Sequence, residues 1–98
     1  KMKVENMTSP KTGREVPNQF IITDDERNEY FQSYKKIIVK KCAYLPTEKF
    51  PGMVLLDENY YNYSKTTVKY RNLFLHEDSK TVERKIKNGE YKLVDLNG

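Results

Sequence analysis

Tryptophan is absent from this 98-residue chain, cysteine and histidine occur once each, and there are only four glycines. The single cysteine, Cys42, has no partner for an intrachain disulfide and points to a reducing compartment, with the cytoplasm as the expected location. A metal site needs converging His, Cys or carboxylate ligands, and His76 and Cys42 lie far apart in sequence. They also lack the spacing of a Cys–His nucleophile pair, and His76 reads as an ordinary residue at a helix end. The few glycines form no phosphate-cradling loop. No apolar run approaches the ~18 residues of a membrane span, and no signal-peptide pattern opens the sequence. Two matches to the glycosylation acceptor pattern, at Asn6 and Asn62, carry no meaning in a cytoplasmic protein.

The acids are no richer in chemistry. Asp24, Asp25 and Glu26 are consecutive, as are Asp57 and Glu58. Neighbouring acids in turns are normally solvated, whereas general acid–base work needs two carboxylates held across a cleft. Ser64, Thr66 and Thr67 open a helical pattern, where Ser64 reads as a cap more readily than as part of a phosphate site. The expectation is a non-enzymatic protein with no catalytic, cofactor-binding or metal-binding residues.

What is present is charge, tyrosine and ordered apolar runs. Charged residues make up 33% and hydrophobic residues 37%, but the latter cluster, so the chain should fold. Its length suits one domain, residues 1–98, burying roughly 60–70% of its unfolded surface around one modest core. Eight tyrosines supply either core filler with a polar tip or interface anchors. A net charge of +4 mildly favours anionic partners.

Val4 to Met7 reads as a short strand, followed by turn chemistry in Ser9 to Gly13. Gln19 to Thr23 is rich in bulky and β-branched residues and reads as a second strand. The stretch Thr23 to Lys41 supports two readings. Thr23 to Glu26 fits a helical capping box, with acids at the start and lysines at the end. The β-branched triplet Ile37-Ile38-Val39 instead favours a hairpin turning at Thr23 to Asn28. In the hairpin, strand alternation sends Tyr30, Gln32, Tyr34, Lys36, Ile38 and Lys40 to one face. Phe31, Ile37 and Val39 then join Phe20 and Ile22 in the core, with a bulge near Ser33 to Lys35 able to swap the faces beyond it.

Cys42 to Gly52 forms a loop with two prolines, and Met53 to Leu56 a short buried strand. A helix is predicted from Ser64 to about His76, carrying Tyr63, Thr67, Tyr70, Leu73 and Phe74 as its apolar stripe. A second, shorter helix capped by Ser79 contains Val82 and Ile86 and stops at Asn88-Gly89. Tyr91 to Leu96 closes the chain as a strand. The predicted class is α+β, a small mostly antiparallel sheet of three to four strands packed with one or two C-terminal helices.

Phe31 to Tyr34, Ile37 to Val39 and Tyr63 to Tyr70 together resemble a group of small, largely uncharacterised bacteriophage and mobile-element proteins. That group shares a Phe-Gln-Ser-Tyr element, an Ile-Ile element and a Tyr-Ser-x-Thr-Thr helix start. The resemblance spans roughly residues 18 to 75 and favours the hairpin. Here Tyr70 stands where such proteins often carry histidine, and the Cys42–Gly52 loop is longer. The resemblance implies the cytoplasm of a bacterial host and action by macromolecular binding. The leading expectation is an inhibitor of a host-defence nucleoprotein, anti-CRISPR-like, that occludes a host or phage protein. The alternative is direct binding of single-stranded nucleic acid, in which bases stack on tyrosines beside lysines. The contact residues expected are Tyr30, Tyr34, Lys36 and Lys40 from the strand face, and Tyr44, Lys49 and Phe50 from the loop. No membrane partner is expected, and the oligomeric state is open, with a homodimer among the options.

Overall fold

The computed structural model describes all of residues 1–98. Six strands form one sheet in chain order: β1 (Lys3–Thr8), β2 (Glu15–Thr23), β3 (Glu29–Ser33), β4 (Lys36–Lys41), β5 (Val54–Asp57) and β6 (Tyr91–Val94). Neighbours run antiparallel from β1 to β5, but β5 and β6 are parallel. Parallel neighbours require a crossover, and this one carries α1 (Lys65–Leu75) and α2 (Ser79–Lys87). The α+β character holds, but the sheet has six strands and is mixed, which corrects the expected three to four mostly antiparallel strands. The strand expected after the two helices is present as β6.

One of the additional strands arises because Glu29 to Lys41 is two strands. Tyr34 adopts a left-handed backbone (φ 57°) and, with Lys35, makes a two-residue turn between β3 and β4. The Asn18 carbonyl accepts from the Tyr34 N–H at 2.7 Å, and the Gln32 side chain donates to the Tyr34 carbonyl at 2.7 Å. The helical reading of Thr23 to Lys41 fails at Asp24. One carboxylate oxygen accepts from the Glu26 and Asn28 N–H groups, and the other accepts from the Asn28 amide and the Tyr30 hydroxyl. These bonds close a turn in which Arg27 takes φ 68°, so the acids organise a hairpin and no helix starts.

Both helices cover the same face of the sheet, α1 against β3 and α2 against β6. The core between the layers contains Met7, Phe31, Ile38, Val39, Leu56, Tyr70, Phe74, Val82 and Tyr91, with the Phe31 and Phe74 rings 6.0 Å apart. A register shift between Phe31 and Gln32 makes room for Ile38 as an extra residue, so Ile38 and Val39 both lie inside while Ile37 faces away. The bulge thus falls at Ile38, beyond the Ser33–Lys35 position expected. Phe20, Ile22 and Ile37, assigned to the core from sequence, are paired in register with Gln32, Tyr30 and Gln32 on the opposite face; Ile21 takes the inward place, opposite Phe31.

The predicted helices are found nearly where expected. Ser64 caps α1 by accepting from the Thr67 N–H, and Thr67, Tyr70 and Phe74 are buried. His76 ends α1 in a left-handed conformation. Asp78, one residue before the expected Ser79, caps α2 by accepting from the Thr81 N–H. Arg71 is fully buried and donates to the Tyr61 carbonyl, the Asn62 and Asn72 side-chain oxygens and Ser79. This one guanidinium therefore ties α1 to the preceding loop and to the start of α2. No helix is long and apolar enough to cross a membrane.

Candidate functional site

No helix covers the second face of the sheet. The register places Val4, Ile22, Tyr30, Lys40, Leu55 and Lys92 in one row across all six strands on this face. Asn6, Phe20, Gln32 and Ile37 form the adjoining row. Two non-helical segments partly cover these rows, and they decide what remains accessible.

The first is the loop after β4. Asn28 anchors its start, accepting from the Ala43 N–H at 2.7 Å, and Glu48 reaches Lys40 at 2.7 Å. Phe50 lies beside Lys92 of β6, with the ammonium group 5.8 Å from the ring. Leu55 is buried as a result, although it belongs to the helix-free face. The second is the chain after β6. The Leu96 N–H donates to buried Asp57, and the Asn97 side chain both accepts from the Ile37 N–H and donates to the Ile37 carbonyl. What stays open is the β1–β2–β3 side. Its centre is a recess of about 230 Å³ lined by Met2, Ile22, Asp24, Tyr30, Ile37 and Leu96.

The residues singled out from sequence are dispersed by this geometry. Tyr30 and Lys40 do share a face, as cross-strand partners, with the ammonium group 5.7 Å from the ring. Tyr34 is in the turn and exposed, and Lys36 points to the helix side, 4.8 Å from the Tyr60 ring. The expected four-residue stripe therefore reduces to one pair, because the Tyr34–Lys35 turn reverses the chain. In the loop, Tyr44 is 87% exposed and its ring lies over Gly52, in the space a Cβ would take, while the φ of 70° at Gly52 independently favours glycine. Phe50 is half-buried between Lys49 and Lys92, at 5.5 and 5.8 Å.

Electrostatically, the Tyr30–Lys40 pair is already occupied. Burial lifts the Tyr30 hydroxyl above its ordinary value, and the hydrogen bond it donates to Asp24 adds to the shift. Burial alone would also raise Asp24, but hydrogen bonds from Asn28, Tyr30 and Glu26 outweigh it and hold that carboxyl low. Burial works against charged Lys40, yet the bond to Glu48 raises it overall. Cys42 is buried next to this pair, and burial pushes its thiol up, away from the reactive thiolate. His76, at the end of α1, belongs to the helix layer, so Cys42 and His76 lie on opposite sides of the sheet.

Sequence reasoning missed the apolar members of this surface. Val4 and Met2 are 57% and 66% exposed, and Phe20, Ile22, Ile37 and Leu96 are only partly covered. The alternation in Gln19 to Thr23 was a signal, since it puts Phe20 and Ile22 opposite Ile21.

Residues 2–90 match the model of a family of unknown function, DUF8033. The chain belongs to that family. No curated protein and no solved structure matches it.

Proposed function

We propose that this DUF8033 protein is a non-enzymatic binding module that docks a protein partner on the open β1–β2–β3 side of its sheet and acts by occluding that partner. The observation that carries this reading is the recess of about 230 Å³ between Met2, Ile22, Tyr30, Ile37 and Leu96, flanked by exposed Val4. An apolar recess with a few polar groups at its rim suits an anchoring side chain from a partner. The resemblance of Phe31–Tyr34 and Tyr63–Tyr70 to mobile-element proteins supplies the setting, a bacterial host whose defence nucleoproteins, including CRISPR effectors, are the leading targets.

A second reading, single-stranded nucleic-acid binding, draws on a different observation. Tyr44, Lys49, Phe50 and Lys92 place two rings and two ammonium groups together at the loop, and neither lysine is in an ion pair. Two ammonium groups would engage about two phosphates, so the salt slope would be shallow, roughly −1.4 for a single strand.

The deciding experiment measures inhibition of nucleoprotein effectors and binding of labelled oligonucleotides by wild type, Ile22→Asp and Lys92→Glu. The protein-docking reading expects inhibition that Ile22→Asp abolishes and Lys92→Glu spares. Oligonucleotide binding lost in Lys92→Glu but kept in Ile22→Asp would replace it with the second reading.

A further inference from the structure

The sheet has two edges, and they are unlike. β6 is four residues long, while β1 is six, and its outer row of N–H and C=O groups faces no strand. Such a row is a template for another strand unless proline, a bulge or unmatched charge blocks it. β1 has no proline, and its register with β2 is regular from Lys3 to Asn6, the one irregularity falling between Asn6 and Thr8, beyond Lys3 to Glu5. On the helix side, the Lys3 and Glu5 side chains are 70% and 55% exposed and pair with each other at 2.7 Å. Val4 lies between them on the other face, 57% exposed.

We propose that β1 pairs antiparallel with β1 of a second copy, about a twofold axis through Val4, joining the two sheets into one. In this register each Lys3 stands opposite Glu5 of the second copy, and the two Val4 side chains meet on the open face. Charge complementarity selects both occupant and register. An axis at Lys3 would set lysine against lysine, and one at Glu5 would set glutamate against glutamate, while opposite charges directly across a ladder attract. A slip of one residue would turn the second sheet over and put Val4 opposite a charge. Edge charges normally deter pairing by leaving a charge without a partner; here the strand is complementary to itself. The inference goes beyond partner docking and is read in purified protein with no partner present, so either can fail alone.

The test is sedimentation of wild type, Lys3→Glu and Glu5→Lys, separately and mixed. Wild type should dimerise. Each variant alone should self-associate more weakly, on the order of tenfold or more, because both attractive pairs become repulsive. An equimolar mixture of the two variants should recover a one-to-one dimer. In that dimer the edge of the Lys3→Glu copy carries two carboxylates, and each faces one of the two ammonium groups on the edge of the Glu5→Lys copy. Both substitutions are at exposed positions, and far-UV circular dichroism checks that each variant folds. Wild type that stays monomeric up to millimolar concentration overturns the proposal. So does a dimer indifferent to both variants, or a mixture that stays monomeric.

Discussion

Tyr30 and Phe31 are adjacent in sequence but point to opposite faces of β3, so truncating each to alanine tests the sheet assignment with the backbone position nearly fixed. Phe31 is fully buried and stacked on Phe74. Phe31→Ala removes a core ring and leaves a cavity that the surrounding strands and α1 can only partly fill, a loss of about 3–5 kcal/mol. Tyr30 is half-buried, and its hydroxyl donates to Asp24 at 3.0 Å. That bond contributes about 1 kcal/mol, and the contact with the Lys40 ammonium about 0.5–1 kcal/mol. Asp24 keeps three other donors in Tyr30→Ala, so no carboxylate is orphaned, and the cost should stay near ~2 kcal/mol. A domain of this size typically has only about 5–15 kcal/mol in total, so Phe31→Ala should be marginally folded and Tyr30→Ala plainly folded. Urea unfolding followed by circular dichroism gives both values, and equal slopes in the two variants would license the comparison. A Tyr30→Ala loss equal to or greater than that of Phe31→Ala would refute the facing of β3, and with it the open surface.

Three further outcomes follow from local geometry. Ser64→Ala removes the acceptor for the Thr67 N–H and should cost about 1 kcal/mol, seen as a lower urea midpoint with an unchanged slope. Arg71→Ala removes a fully buried side chain and the donors to the Tyr61 carbonyl and to Asn62, Asn72 and Ser79, of which Asn62 and Ser79 can turn to water, and should cost about 2–3 kcal/mol. Arg71→Lys should recover little of it, because an ammonium cannot reach that planar set, and chemical unfolding of both variants checks this. Burial pushes the Glu77 carboxyl up, but hydrogen bonds from Lys85 and Tyr91 more than offset it and hold it below the ordinary 4.5. A depressed carboxylate stabilises the fold above its unfolded value and loses that contribution as pH falls through the folded one. Stability should therefore drop below about pH 4.5, and the drop should be shallower in Glu77→Gln.

The helices were the most legible part of the sequence. Ser64 followed by Thr67, Tyr70 and Phe74 states both a cap and a buried stripe, and Asn88-Gly89 marks the end of α2. Arg71 was legible only in hindsight. It stands four residues from both Thr67 and Leu75, squarely in the buried stripe, but a charged side chain there is normally discounted. The β3–β4 turn was hidden because its left-handed position is held by tyrosine in place of glycine or asparagine. Once that turn and the extra residue Ile38 are known, the mixed character of Glu29 to Lys41 is resolved. No single strand could sort Phe31, Ile38 and Val39 to one face, whereas two strands and a bulge do. The candidate site suffered most from this, since four expected neighbours were divided between two faces and a turn.

The parallel pairing of β5 and β6 explains why the site is where it is. A crossover must carry the chain over one face, and both helices travel with it, so the opposite face receives only what the remaining loops can supply. The Cys42–Met53 loop and the residues after Val94 start next to β4, β5 and β6, and they cover that side, burying Leu55 and holding Ile37. Neither reaches β1. The exposed apolar residues Met2 and Val4, the central recess and the unpaired edge consequently gather at the same end of the sheet. If β1 pairs with itself, two such open surfaces become one surface with twofold symmetry. A surface with twofold symmetry fits a partner that presents two equivalent sites; on the proposed reading wild type and Lys3→Glu should both saturate at two chains per partner, with Lys3→Glu binding more weakly because the avidity of the linked pair is lost.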